Sequence, residues 1–332
     1  MQSRIRVNGT IAYVALILAF FAWAYAERMM APVDYSDETG VSVTIPKGAG
    51  TSAIADILEA EGLIKSATAF KAYVKLTGKD GDLKFGKYEI APSEGVRQIA
   101  SKLAKGIQKG VKLTVPEGYT AKQIAARVEA AGIALYDEFM GFVEKPTDEM
   151  KALLPFPVSG SLEGYLFPDT YEFLEGMGAE AAIKAMLGNF AEKAGPELSS
   201  NLKVDLTPEQ VVILASIVEK EALLTEELPI VAGVFLNRLK ISMALQSCST
   251  VQYVLPRQKP VLSKEDTLID SPYNTYQIQG LPPGAISNPG LKAIQAVLRP
   301  ADHDYLFFVA NGDGSHSFSK TYGEHLKAKF SN

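Results

Sequence analysis

Thr207-Pro208-Glu209-Gln210-Val211-Val212-Ile213-Leu214-Ala215-Ser216-Ile217-Val218-Glu219-Lys220-Glu221 carries the clearest helix signal in the chain and its best candidate for chemistry. Thr207 as N-cap, Pro208 at the first helical position and Gln210 at the third form a capping-box pattern. The apolar run that follows predicts a helix buried against other elements. Counting about 100° per residue from Val218, the residues Val211, Leu214, Ala215 and Ala222 cluster within about 60° of it, while Glu221 falls at about −60° and Glu219 at about +100°. The two acids are therefore expected to point to different sides. That geometry argues against a retaining-glycosidase pair made from Glu219 and Glu221, since paired glycosidase carboxylates face one bond, about 5–9 Å apart across the two classes. It leaves a lone acid. At the end of an apolar helix Glu221 is expected to be partly desolvated, which favours the protonated form and lets it give a proton to a leaving oxygen. The competing expectation is a solvated or salt-bridged helix end, which Lys220, Glu226 and Glu227 suit.

The surrounding composition bounds the answer. With 332 residues, 47% of them hydrophobic and 21% charged, the chain can bury a sizeable core and form two domains. A net charge of −5 leaves no polycationic footprint, so nucleic acid is excluded as an expected partner. One cysteine, Cys248, rules out an intrachain disulfide framework, and the three histidines form no zinc-ligand motif. From Val7 to Ala26 no residue carries a charge, with Arg4 and Arg6 before it. At about 1.5 Å per residue this run just reaches across a hydrocarbon core of roughly 30 Å. The positive-inside rule then keeps the N-terminus in the cytoplasm and exports everything after Glu27. Ala24-Tyr25-Ala26 also fits a signal-peptide cleavage site; either way the bulk of the chain is exported.

Further along, an internal repeat stands out. Val41–Ile45 reads as a strand that ends in Pro46-Lys47-Gly48 and leads into a helix over Thr51–Glu61. Seventy positions later Leu113–Val115, Pro116-Glu117-Gly118 and a helix over Thr120–Ala131 repeat the pattern without a gap, sharing Thr44/Thr114, Pro46/Pro116, Gly48/Gly118, Ile54/Ile124, Glu59/Glu129 and Gly62/Gly132. Between the copies Phe70–Leu76 predicts a helix, Gly86–Ile90 a strand and Val96–Leu103 a helix. The segment Ser161–Tyr171 is dense in aromatics, Gly and Pro, and fits either a carbohydrate cleft or buried core. Downstream, Phe235-Leu236-Asn237-Arg238-Leu239 predicts a second helix, Gly280–Gly290 a rigid loop, and Tyr305–Ala310 with His316–Ser319 a hairpin turned at Asn311-Gly312-Asp313-Gly314.

Together Ile217–Glu221, Phe235–Leu239, Ser271–Tyr276 and Gly280–Gly290, with the N-terminal apolar run and Glu163–Thr170, make the chain similar to the membrane-anchored YceG-like family of endolytic lytic transglycosylases. The resemblance implies an α+β fold in order: cytoplasmic tail 1–9, transmembrane helix 10–26, linker 27–40, LysM-like α+β module 41–110 and C-terminal α+β catalytic domain 111–332, with 111–134 a candidate interdomain subdomain. It implies a single-pass protein of the inner membrane with its catalytic domain outside the cytoplasm. The implied reaction cuts the MurNAc–GlcNAc bond within nascent glycan strands and leaves 1,6-anhydroMurNAc ends, with peptidoglycan synthases as partners and neither cofactor nor metal.

In that family the second glutamate of the Glu-Lys-Glu run is the acid/base, which maps to Glu221. Weaker candidates for lining the cleft are Glu163, Asn237, Gln246, Tyr273, Asn274 and His316. The family's Gln-x-Asp-x-Thr pattern is Gln246-Ser247-Cys248-Ser249-Thr250 here, so a thiol stands where an aspartate is expected. Two other readings stay open: a muramidase in which Glu163 or Asp169 activates water, and a non-catalytic peptidoglycan-binding scaffold.

Overall fold

The computed structural model describes residues 2–106, 110–199 and 202–331, with side chains from residue 16 onward. It mixes helix and strand and divides into two compact units, Met1–Val111 with Leu174–Gly176, and Lys112–Phe173 with Met177–Asn332.

The first unit contains α1 (Gln2–Met30), β1 (Val41–Ile45), α2 (Thr51–Ala60), α3 (Ala67–Leu76), β2 (Gly86–Ile90) and α4 (Val96–Lys105). β1 and β2 pair antiparallel, from Val41 opposite Ile90 to Ile45 opposite Gly86. Strand alternation turns Val43, Ile45, Tyr88 and Ile90 inward onto Ile54, Leu58, Phe70, Val74, Ile99 and Leu103 of the helices. Tyr88 can be fully buried because its hydroxyl donates to the Lys84 carbonyl at 2.7 Å. Met30 at the end of α1 packs on the same core. The expected membrane span 10–26 falls within α1, but the side chains of residues 10–15 lie outside those described. Among the described residues no helix is long and apolar enough to cross a membrane.

The second unit holds β3 (Gly110–Thr114), α5 (Ala121–Ala130), α6 (Tyr136–Glu144), α7 (Asp148–Lys151), β4 (Thr170–Leu174), α8 (Ala179–Lys193), α9 (Gly195–Leu198), α10 (Pro208–Glu221), α11 (Leu228–Lys240), α12 (Cys248–Val254), α13 (Leu291–Leu298), β5 (Phe307–Ala310), β6 (His316–Ser319) and α14 (Tyr322–Ser331). β3 pairs with β4, and β5 with β6. α10 lies at the centre, against α11, α12 and α13, and every residue from Val211 to Val218 is buried. The aromatics of 161–171 belong to this core: Tyr165 and Phe167 are buried edge-on to Phe190, and Tyr171 stacks on Phe173. The carbohydrate-cleft reading of that segment is therefore replaced by a packing role.

The repeat is conformational as well as sequential. Gly62 and Gly132 follow α2 and α5 at φ +70° and +68°, the left-handed region that lets the chain turn back at a helix end. In each copy the next amide closes on the helix: Leu63 N donates to Leu58 O, and Ile133 N to Val128 O. The shared glutamates also act alike, since Glu59 accepts from Ala67 N and Glu129 from Tyr136 N, each at 2.9 Å and each at the start of the next helix. Thus Glu59/Glu129 and Gly62/Gly132 define a strand–helix–helix unit used twice.

Asn288 stitches the second unit together. Its backbone amide and side-chain Nδ2 both donate to Tyr119 O, its carbonyl accepts from Gly118 N, and its Oδ1 accepts from Gly164 N and Leu166 N. Nδ2 also donates to Glu163 Oε1 at 2.8 Å. Glu163 accepts further from Ala121 N, the first amide of α5, and from the Tyr253 hydroxyl of α12. Glu163, expected at the substrate cleft, is buried with its carboxylate engaged by these protein donors, at the floor of a cavity that Tyr273 and Gly284 also line.

Burial pushes the Glu163 carboxyl up to about 7, against the pull of those donors and of Lys122. A carboxyl raised on folding binds its proton more tightly in the native state, so this group's contribution to stability is full below about pH 4.5 and falls as pH rises to about 7, by roughly 3 kcal/mol in total. Denaturant titrations from pH 4 to pH 8 are expected to show wild type losing stability relative to Glu163→Gln across that window; parallel pH curves for the two proteins contradict the account. Gly132→Ala is expected to cost about 1 kcal/mol in the same titrations, because it puts a side chain at positive φ.

Candidate active site

Local sequence explains how Glu221 is held. Thr207 Oγ1 accepts from Gln210 N at 3.2 Å, and Gln210 Oε1 accepts from Thr207 N at 2.9 Å, so the expected capping box starts α10. The helix is then fixed from the side: Ser216 Oγ accepts from Ile286 N, and Ser216 O from Ser287 Oγ, tying α10 to the Gly280–Gly290 loop. Glu219 and Glu221, two residues and about 200° apart, diverge at its end. Glu219 Oε2 accepts from Gly290 N at 3.0 Å, at the start of α13, and burial there raises its pKa, with Glu117 adding to the rise. Glu221, half-buried, faces the loop that precedes α12.

On that side Glu221 Oε1 accepts from Ser247 Oγ at 2.5 Å, Ser249 Oγ at 2.9 Å and Ser249 N at 3.2 Å. The two serine oxygens are themselves 2.6 Å apart. Among the described residues no partner contacts Oε2. The serine loop is rigidly mounted. Gln246 N donates to Thr275 O and Ser247 N to Thr275 Oγ1, while Thr250 Oγ1 meets both Ser247 O and Thr275 Oγ1. Arg238, buried in α11, sends Nη1 to Leu245 O at 2.6 Å and Nε to Leu306 O at 2.6 Å. Its charge lies within electrostatic reach of Glu221 and Tyr276. Gln246 sits at φ +49°, a strained conformation for a residue with a side chain, sustained by these anchors.

Cys248 turns the other way. Its sulfur lies 3.1 Å from the Tyr276 hydroxyl, whose own pKa burial raises, which keeps the phenol neutral. The thiol at the position where the resemblance implies aspartate makes none of Glu221's hydrogen bonds.

Of the weaker candidates, Gln246 is exposed on the serine loop and Tyr273 is half-buried against Tyr253, 5.1 Å between ring centres. The others are structural. Asn274 is fully buried and donates to Thr267 O and Ile269 O while accepting from Tyr276 N. Asn237 donates to His303 O and Tyr305 O, pinning α11 to the segment that leads into β5. His316 packs Nδ1 2.6 Å from Glu227 Oε2, and its amide donates to Glu227 Oε1. These side chains satisfy backbone groups or a buried charge, and Asn237 also lines a cavity with Leu236, Lys240 and His303. Ser247, Ser249, Arg238 and Tyr276 were not singled out by sequence, although all four lie in the motifs quoted above. The only local cue was a pair of hydroxyls flanking Cys248 where a short helix begins. Among the described residues no cluster of His, Cys, Asp or Glu could hold a metal ion.

Comparison with known proteins places the chain in a family. The profile of the YceG-like family matches residues 43–330. An endolytic murein transglycosylase of Bacillus subtilis is 36% identical over 324 residues, covering 93% of this chain and 89% of the relative. One of Streptococcus pneumoniae D39 is 32% identical over 361 residues, covering 97% of this chain but only 65% of the longer pneumococcal protein. The crystal structure of a YceG-like protein of Listeria monocytogenes superimposes with a TM-score of 0.58 at 36% identity, covering 88% of this chain and 99% of that one. With the profile spanning most of its length and a relative 36% identical matched over 89% of that protein, the chain belongs to the YceG-like family.

Proposed function

We infer that this protein is an endolytic murein transglycosylase that cuts the MurNAc–GlcNAc bond inside peptidoglycan glycan strands. The observation that carries the reading is the isolation of Glu221: a carboxylate held on one oxygen by serine donors, with the neighbouring acid Glu219 committed to Gly290. Protonated Glu221 gives its proton to the leaving GlcNAc oxygen as the glycosidic bond breaks and charge develops on the MurNAc ring. The resulting carboxylate then takes the proton of the MurNAc 6-hydroxyl as O6 bonds to C1. The product is a 1,6-anhydro end, and Glu221 is returned protonated. One residue serves in both directions, so no second carboxylate and no water is required.

A muramidase needs a second acid to activate water. The two acids considered for that task are otherwise engaged: Glu163 in the Asn288 network, and Asp169 with Lys193 and Asn189, contacts that hold its carboxyl down at about 2. This favours the transglycosylase over the hydrolase.

The finer features belong to the same proposal. α1 anchors the protein in the membrane with its N-terminus in the cytoplasm. In support, α1 exposes Leu16, Leu18, Phe20, Phe21, Trp23 and Tyr25, and Arg4 and Arg6 precede the uncharged run. The order β1–α2–α3–β2 supports a LysM-like module that engages glycan, leaving the second unit for catalysis. An enzyme placed there would cut strands beside the synthases that extend them, which ends their elongation.

Full-length protein incubated with purified peptidoglycan is expected to release anhydroMurNAc-ended fragments by mass spectrometry. Glu221→Gln is expected to lower the rate by about 10²–10⁴-fold. Reducing MurNAc ends, or undiminished cleavage by the variant, would falsify the reading. N-terminal sequencing of the protein from membranes is expected to find the apolar segment retained, whereas a mature start at Glu27 contradicts the anchor.

A further inference from the structure

Ser247 and Ser249 converge on a single oxygen of Glu221, and counting their protons decides which oxygen reacts. Each serine has one hydroxyl proton, and Ser249 adds its amide. If both hydroxyls donate to Oε1, that atom accepts three hydrogen bonds with the amide. If one hydroxyl donates to the other serine across their 2.6 Å contact, Oε1 still accepts two. A carboxylate oxygen has two lone pairs outside its bond to carbon. The second arrangement matches two donors to two lone pairs, and while a serine and the amide donate to it Oε1 has no lone pair left for a proton of its own. Oε2, free of partners among the described residues, is the atom left for the proton and for the substrate.

We propose that Ser247 and Ser249 are positioning residues that immobilise Glu221 through Oε1 and so assign both proton transfers to Oε2. This rests on the transglycosylase reading above and adds the atom through which it works. In the first half of the reaction the Oε2 proton passes to the glycosidic oxygen as the C1–O bond breaks. In the second, the 6-hydroxyl proton returns to Oε2 as O6 bonds to C1. The serine hydrogen bonds to Oε1 persist throughout, because Oε1 is an acceptor in both the acid and its anion. Since the serines orient the carboxyl without touching the sugar, their loss acts on the chemical step and not on binding.

The mounting of the loop supports a purpose beyond ordinary packing. Arg238, Thr250 and Thr275 hold the backbone on either side of the serines by contacts that do not involve the serine hydroxyls. The strained Gln246 is the residue that turns the chain into the pair. Removing a hydroxyl should leave the loop standing and set the carboxylate free to rotate.

The test uses the full-length protein and soluble glycan strands. Ser247→Cys and Ser249→Cys keep a single γ atom, somewhat larger than the hydroxyl oxygen, while weakening the donor, and Thr at either position restores a hydroxyl. The expected result is a fall in kcat of about 10–100-fold in each Cys variant, with KM within about twofold, an unchanged unfolding midpoint and recovery in at least one Thr variant. The proposal is overturned if the Cys variants keep wild-type kcat, if KM rises in proportion to the loss, or if activity falls only together with the unfolding midpoint and no Thr variant recovers it. Anhydro ends from the wild type alongside unaffected Cys variants would remove the clamp and leave the transglycosylase reading intact. Their absence from the wild type would remove the reading itself.

Discussion

The Asn288 side chain is the joint on which the second unit depends. Through one amide it satisfies backbone groups at Tyr119, Gly164 and Leu166 and a carboxylate at Glu163, all more than a hundred residues away in sequence. An apolar residue there would leave buried donors and acceptors unpaired, each worth on the order of 1–3 kcal/mol. The same loop reaches α10 through Ile286 and Ser287 and receives Glu219 at Gly290. The placement of Glu221 at the far end of α10 thus rests on a polar seam remote from it.

That division of labour explains what the sequence could and could not reveal. The elements with local causes were legible: α10 from its capping box and apolar run, the repeat from its matched prolines, glycines and glutamates, the β5–β6 hairpin from Asn311–Gly314. The divergence of Glu219 and Glu221 followed from helical phase alone. Polar residues in the later motifs were harder to read, because their partners are remote. Asn237 serves carbonyls 66 and 68 positions away, and His316 a carboxylate 89 positions away. Nothing near those residues indicates whether such a side chain faces a ligand or a buried backbone group. The aromatics of 161–171 pose the same ambiguity, since a ring that stacks on sugar and a ring that fills a core have the same local pattern.

The serine loop is where reading by residue type fell short. A cysteine in an expected aspartate position drew attention to Cys248, yet the thiol faces Tyr276 and the small residues on either side hold Glu221. Serine is the most ordinary of polar residues. Here its value lies in having one donor each and a backbone that is fixed by other groups. Cys248 thus takes no part in the hydrogen bonds that hold the acid.

The central claim is that bond cleavage closes the sugar on itself through Glu221, without water. Digesting peptidoglycan in water enriched in oxygen-18 tests this directly, because an intramolecular attack by O6 takes no oxygen from solvent and hydrolysis must. The account predicts MurNAc ends lighter than the reducing form by one water and free of the label. Labelled reducing ends formed at the wild-type rate would contradict it.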